Sequence, residues 1–297
     1  MQISTSFFYD TAARRMTDLT GKANALQVQI STGKKLNNAS DDAAAAAQVA
    51  EFDRRDADDA VYKTNLTLAG SLLQQADTTL GQIGQQVQKA LELATQAANG
   101  TLNAANRSSV GDQIASIRDA LVGLANSKDT RGLPLFGAAA GTDAVTMVNG
   151  RYAYSQANVS DIPIADGQSV DVSVSADRVF QAGANDDTLN VLNTLVTALK
   201  SGGDASATVK DAMDKLKAAN DNVASVQASV GAREARVELQ QGLQQAASTD
   251  RAQLRSSVED VDPVETITKL QQTMTVLQAT QASFTKLSSL SLFDYLK

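Results

Sequence analysis

Glu51, Asp53 and Asp56 are carboxylates two to five residues apart, and a carboxylate pair is what acid–base cleavage of a glycosidic bond requires. Nothing else in the chain composes a sugar cleft around them. Asp41 and Asp42 are adjacent and could hold a cation, but two carboxylates at a helix start more commonly complement the helix dipole. Asp53, Asp56, Asp58 and Asp59, with Arg54 and Arg55 among them, read either as an ion-pair interface between subunits or as a solvated face, where single pairs contribute little. Beyond these the chemical inventory is poor. The 297 residues contain no Cys, no His and no Trp. That removes disulfides, thiolate ligands, Cys nucleophiles, the HExxH zinc motif and the side chain best suited to proton transfer near neutral pH. The expectation is a protein that is not an enzyme and carries no metal or cofactor.

The formal net charge is −7, and no segment gathers Lys and Arg with interleaved aromatics. A nucleic-acid groove or an anchor on an anionic membrane is therefore not expected. Residues 1–15 lack a basic stretch followed by an apolar run, so no Sec signal peptide is read there. No segment approaches the ~20 apolar residues that span a bilayer. These features alone read as cytoplasmic.

The elements that must position these residues are mostly helical. Only three prolines and twelve Phe and Tyr residues are present, a mix that favours long helices meeting along narrow seams. Leu19, Leu26 and Ile30 predict a helix over Asp10 to Ile30, stopped at Gly33. Ser40 is the expected N-cap of the next helix, with Asp41 and Asp42 in its first turn. That helix runs to a C-cap at Asn99-Gly100, with a break near Asp53 to Asp59. Leu66, Leu73, Leu80, Val87 and Ala94 repeat every seven residues, and Ala76, Ile83, Ala90 and Ala97 follow three residues on. Such heptads with small partners make a close-packed helix seam. From Ala60 to Ala98 it would extend roughly 60 Å at ~1.5 Å per residue.

A shorter helix carries Val110, Ile114, Ile117, Leu121 and Leu124. After Ser127 the pattern turns to strand. Asn149-Gly150 and Asp166-Gly167 are expected as type I′ hairpin turns, and Val170, Val172 and Val174 alternate as a half-buried strand does. This makes a β insertion of about four strands. Helix returns with Leu189, Leu192, Leu195, Val196 and Leu199. The last long helix carries Leu216, Val223, Val226, Val230 and Val237, and it restarts at Asp262-Pro263-Val264-Glu265, with Asp as N-cap and Pro at the first helical position.

Six of the twelve aromatics sit at the extreme ends: Phe7, Phe8, Tyr9, Phe284, Phe293 and Tyr295. Exposed aromatics invite association, so these ends should be covered. Ordering about 40 residues costs more backbone entropy than some eight apolar side chains return. The terminal helices are therefore expected to be largely disordered in a lone subunit and to fold when copies pack together. An ordinary intramolecular coiled coil fits the composition equally.

Ile30-Ser31-Thr32-Gly33-Lys34-Lys35-Leu36-Asn37-Asn38-Ala39-Ser40-Asp41-Asp42-Ala43-Ala44 closely resembles the signature near the start of the flagellin family. Leu93-Ala94-Thr95-Gln96-Ala97-Ala98-Asn99-Gly100-Thr101 is similar to the end of that family's first long helix, in the right order and spacing. Met1-Gln2-Ile3-Ser4-Thr5, Arg131-Gly132, Leu135-Phe136-Gly137, Asp177-Arg178-Val179-Phe180, Ser257 to Asp262 and the ending Leu290 to Leu296 resemble the branch that joins the flagellar hook to its filament more than flagellin itself. Gln2, where that branch more often has a basic residue, and Lys297 are departures. The resemblance covers residues 1–136 and 180–297. It matches the β insertion only weakly.

The resemblance implies a mainly α fold with a small β insertion, its long N- and C-terminal helices paired in coiled coils around a central β domain. Residues 1–40 and 258–297 would form a terminal assembly domain, 41–135 and 187–257 a helical coiled-coil domain, and 136–186 an outward β-rich domain. The implied function is a structural ring subunit between hook and filament, exported to the extracellular flagellum without a cleaved signal. Its implied partners are further copies of itself, the preceding junction protein, flagellin and an export chaperone. Phe7, Phe8, Leu19, Leu26, Ile267, Leu270, Met274, Leu277, Phe284, Leu292, Phe293 and Tyr295 would face other subunits. Leu66, Leu73, Leu80, Ile83, Val87, Val223, Val226, Val230 and Val237 would hold the chain's own coiled coil. Lys89 to Glu92 lines up with the flagellin segment seen by an innate immune receptor, but Lys89 stands where flagellins commonly carry Arg, which is not equivalent. Rival readings are a filament-forming flagellin, a coiled-coil adhesin or signalling module, and a carboxylate hydrolase.

Overall fold

A computed structural model describes residues 2–100, 102–155, 161–183 and 187–294, with side-chain surroundings described except at 2–6, 8 and 287–294. The chain divides into two compact units, Met1–Asp58 with Ala246–Lys297, and Asp59–Gln245. The architecture is mainly α with a small β insertion. Its elements are α1 (Gln2–Thr32), α2 (Ala43–Ala97), α3 (Ala104–Ala125), β1 (Val145–Val148), β2 (Arg151–Tyr154), β3 (Ile162–Ala165), β4 (Gln168–Val170), α4 (Ala176–Phe180), α5 (Thr188–Lys200), α6 (Ser206–Glu259) and α7 (Pro263–Asp294).

In the unit 59–245, α2 packs along α6. Leu66, Leu73, Leu80, Ile83, Val87, Val223, Val226, Val230 and Val237 are all buried there. The approach is close because glycines stand opposite valines. A Cβ added at Gly84 would lie 3.6 Å from Val223 Cγ1, and one at Gly70 would lie 3.7 Å from Val237 Cγ1. α3 starts at Asn103, whose side chain accepts from the Asn106 N–H. It packs against α5, where a Cβ added at Gly111 would lie 3.3 Å from Leu199 Cβ, and its Val110, Ile114, Ile117 and Leu121 are buried.

The two hairpins, β1–β2 and β3–β4, are both antiparallel. Asn149 (φ 53°) and Gly150 (φ 76°) are both left-handed, as a type I′ turn demands. The second turn differs from expectation. Only Gly167 (φ 63°) is left-handed there, and the register shifts between Pro163 and Ala165. An extra residue in β3 absorbs the twist that a second left-handed residue would have supplied. Val170, Val172 and Val174 are buried in alternation, but the strand ladder stops at Val170. Val172 and Val174 keep the period of two within the hydrophobic core although they lie beyond the paired strand.

Three further expectations give way. α1 begins at Gln2 instead of Asp10, with Tyr9 set edge-on against Phe284 of α7 at 5.4 Å between ring centroids. α2 runs unbroken across Asp53 to Asp59, where Arg251 and Arg255 of α6 pair with Asp53 and Asp56 and offset the repulsion among the aspartates. It ends at Ala97, closed by the Asn99 N–H on the Gln96 carbonyl, and Gly100 is not left-handed.

Candidate functional site

The fifteen-residue signature forms a joint in the unit that holds both termini. Gly33 (φ 71°) stops α1, its N–H still donating to the Gln29 carbonyl. The chain then runs beside the link between α6 and α7. Lys35 N–H donates to Glu259 O at 2.7 Å, and Val261 N–H donates to Gly33 O at 3.0 Å. Lys34 Nζ lies 2.7 Å from Glu259 Oε2, whose side chain is only 8% exposed. Lys35 Nζ donates to Ser257 O. The two lysines thus satisfy α6 as much as the C-terminal dipole of α1.

The aspartates that follow both act on backbone. Asp41 Oδ2 accepts from the N–H groups of Asn37 and Asn38. Asp42 Oδ1 accepts from those of Ala44 and Ala45, so Asp42 is the N-cap of α2 and Ser40 is not. Asp takes the position because a carboxylate meets both the orphan N–H groups and the dipole. Asp262 caps α7 in the same way, accepting from Val264 and Glu265 N–H. Among the described residues no group of three His, Cys, Asp or Glu side chains could hold a metal ion, and no helix is long and apolar enough to cross a membrane.

Farther along this unit, α2 and α6 are bound by charge. Arg255 Nη1 and Nη2 meet Asp53 Oδ1 (2.7 Å) and Asp56 Oδ2 (2.8 Å), and Arg251 Nε meets Asp56 Oδ1 (2.6 Å). The Arg255 guanidinium also stands 6.0 Å from the ring centroid of Phe52, which is buried. Asp53 and Asp56 are therefore engaged within the chain. Glu51 accepts from Arg54 and Arg55, and those hydrogen bonds hold its carboxyl below the usual range. A carboxyl kept ionised is the wrong state for the general acid of a glycosidase. Sequence reasoning missed Arg251, Arg255 and Phe52. Their signal was present as two arginines four apart facing two aspartates three apart.

The terminal pair α1 and α7 lies together but buries little. Of the residues expected to face other copies, Phe7 is 73%, Ile267 43% and Met274 42% exposed. Leu19, Leu26, Leu270 and Phe284 are half-buried. Leu277 is buried in the chain's own contacts. The side chains of Phe8, Leu292 and Phe293, and all of Tyr295, lie outside the description. Val28, Leu254, Val264 and Val276 are exposed as well. Lys22, Ala25, Leu26, Lys269, Gln272 and Thr273 line an open groove of about 340 Å³ between the two helices. The described part of this surface offers apolar side chains for contact with protein.

In the other unit, buried polar groups tie down the 129–133 loop and hold β2 to the start of α5. Burial raises the Asp129 carboxyl, but Arg131 and the N–H groups of Leu133 and Arg131 outweigh it and hold the group below its ordinary range. Tyr154 donates its O–H to Asp187 Oδ1 at 2.9 Å, and Asp187 caps α5. Burial first, and then the Asp187 charge, push the Tyr154 phenol far above its ordinary value.

Residues 3–140 match the bacterial flagellin N-terminal helical region and residues 213–296 the bacterial flagellin C-terminal helical region. The chain is 28% identical over 318 aligned residues to flagellar hook-associated protein 3 of Escherichia coli (strain K12), covering 100% of both chains. It is 27% identical over 135 residues to flagellin A of Vibrio cholerae (El Tor Inaba N16961), covering 46% of this chain and 36% of that one. A solved chain from Vibrio parahaemolyticus, described as a flagellar hook-associated protein, superposes with a TM-score of 0.69 at 21% identity, covering 74% of this chain and 100% of that one.

Proposed function

The chain belongs to the flagellin family of structural flagellar proteins, and from that premise we propose that it is the subunit of the ring that joins the flagellar hook to the filament. The observation that carries this reading is the extent of alignment. The match to hook-associated protein 3 runs end to end, whereas the match to flagellin A stops at less than half of either chain. A filament-forming flagellin is the second reading, and it shares the same helical arms.

The subunit works by packing, not by catalysis. Residues 1–40 and 258–297 form the inner layer of a tube, 41–135 and 187–257 the next shell, and 136–186 face outward. The exposed apolar residues of α1 and α7, Ile267 and Met274 among them, bury against further copies of the chain. One end of the ring receives the preceding junction protein and the other templates flagellin. The subunit reaches the outside through the flagellar export channel, with an export chaperone at its C-terminal helix.

Electron microscopy of a strain lacking the gene, with immunoblotting of flagellin in the medium, tests this. Intact hooks without filaments and shed monomeric flagellin are expected. Filaments growing on those hooks would overturn the junction role in favour of an alternative flagellin.

A further inference from the structure

In the unit 59–245, the first β hairpin and the helices beside it enclose a cleft of about 560 Å³. Its walls are β2 at Arg151 and Tyr152, the start of α5, and α6 between Thr208 and Lys215. None of the residues assigned to the coiled-coil seam or to other subunits lines it. Small-molecule sites of ~300–1,000 Å³ are mostly apolar with a few polar groups. This cleft is the reverse, since Val191 and Ala212 are the only aliphatic side chains among the described residues that line it.

Part of the wall is fixed before any ligand arrives. Asp187 Oδ1 accepts from the Tyr154 O–H at 2.9 Å and the Asn190 N–H at 3.0 Å, and its Oδ2 accepts from Asn190 Nδ2 at 2.9 Å. Asn190 Oδ1 in turn accepts from the Tyr152 N–H at 3.0 Å. Asn193 Oδ1 accepts from Arg118 Nη1 at 2.8 Å. Arginine only donates, so this bond decides which way round the Asn193 amide lies and leaves its Nδ2 donors unspent.

The rest of the wall keeps hydrogen-bonding capacity in hand. The side chains of Arg151, Gln181 and Thr208 have no partner among the described residues. Asp211 pairs with Lys215 at 3.0 Å, and a carboxylate so engaged still has lone pairs to accept with. The charged side chains of the cleft balance, Arg151 and Lys215 against Asp187 and Asp211. A balanced site gives no net attraction to an ion. It suits a ligand without charge whose neighbouring groups each accept and donate, which is the chemistry of sugar hydroxyls.

We propose that this cleft binds a neutral carbohydrate of one or two rings, whose hydroxyls accept from Arg151, Gln181 and Asn193 Nδ2 and donate to Asp211. The fixed wall of Asp187, Asn190 and Asn193 lowers the ordering cost of binding. The site is separate from the assembly role proposed above, and its test does not depend on that role.

Saturation-transfer NMR on the purified full-length chain, with maltose, cellobiose, lactose and chitobiose as separate probes, is the test. At least one is expected to bind. Arg151→Ala, at an exposed position, should weaken that binding at least about fivefold by removing a charged donor. Thr208→Trp, which places an indole in the cleft, should abolish it. Lys63→Ala, outside the cleft, should leave it unchanged. No signal from any of the four sugars would overturn the proposal, as would binding that survives both Arg151→Ala and Thr208→Trp. Tighter binding of glucuronate than of glucose would also overturn it, by showing a site for an anion.

Discussion

Arg255 Nη1 stands 2.7 Å from Asp53 Oδ1, a pairing across 202 residues of chain that binds the end of α6 to the start of α2. The same guanidinium meets Asp56 and covers the face of Phe52. Each exposed pair contributes about 0.2–1 kcal/mol, and the ring contact about 0.5–1 kcal/mol. Arg255→Ala should therefore destabilise the unit containing the termini by ~1–2 kcal/mol, less at high salt. Arg54→Ala, which loses contacts only within its own helix, should leave it unchanged. Urea denaturation followed by hydrogen exchange at residues 43–58 separates the two. Equal effects would refute the ladder across α2 and α6.

Leu80 is fully buried in the seam of α2 and α6. Leu80→Ala removes apolar surface and leaves a cavity, at a cost of about 2–5 kcal/mol. Leu243 is on the same long helix α6 but exposed, and Leu243→Ala should change stability by less than about 0.5 kcal/mol. Thermal denaturation by circular dichroism reads both, and a small effect of Leu80→Ala would mean the seam is not tightly packed.

Asp129 is buried and ties the Arg131–Leu133 loop through its own carboxylate. Arg131 and the loop N–H groups hold its folded pKa below the ordinary carboxylate range. Its stabilisation is therefore present above about pH 4 and is lost as the pH falls through the lowered folded value. Asp129→Asn should cost about 1–3 kcal/mol at pH 7 by leaving donors poorly matched. The gap between wild type and variant should narrow below about pH 4. A gap independent of pH from 7 to 2 would show that charge is not what Asp129 contributes.

Gly137 has φ 57°, and a Cβ there would lie 2.9 Å from the Ser175 Cα. Gly132 has φ 78° and open space around it. Gly132→Ala should cost only the left-handed penalty, about 1–2 kcal/mol. Gly137→Ala adds backbone against backbone and should cost clearly more. Equal midpoints in urea would show that the 137–175 approach relaxes freely.

Where one residue's periodicity decided the outcome, the sequence was legible. Leu66 to Val87 and Val223 to Val237 carry a seven-residue repeat, and every one is buried. Asn149-Gly150 demanded two left-handed residues and has them. What escaped were choices between equivalent partners. Ser40 and Asp42 are both good caps, and only the fold of Asn37 and Asn38 onto Asp41 decides for Asp42. The acidic run in α2 predicts a break only if its charges lack partners, and the partners, Arg251 and Arg255, lie some two hundred residues away. The division into residues facing this chain and residues facing other copies was legible only coarsely. Leu277 shares the spacing of Met274 yet turns inward, because the place where α1 crosses α7 is not written in the spacing of either helix.

Ile267 and Met274 stand one heptad apart on α7, both more than two-fifths exposed, with Val264 exposed beside them. In the free subunit their apolar surface already meets water, so replacing it changes little on unfolding. Ile267→Ser with Met274→Ser should shift monomer stability by less than about 0.5 kcal/mol. In an assembled ring the same side chains would be buried, each contributing about 1.5–3 kcal/mol per subunit, and every copy carries the loss. The double variant should therefore be exported and soluble but fail to support filaments on hooks, with flagellin shed into the medium. Circular dichroism of the purified chain and microscopy of the variant strain measure the two halves separately. A destabilised monomer that still supports filaments would place these residues in the subunit's own fold and take the assembly surface away from this face of α7.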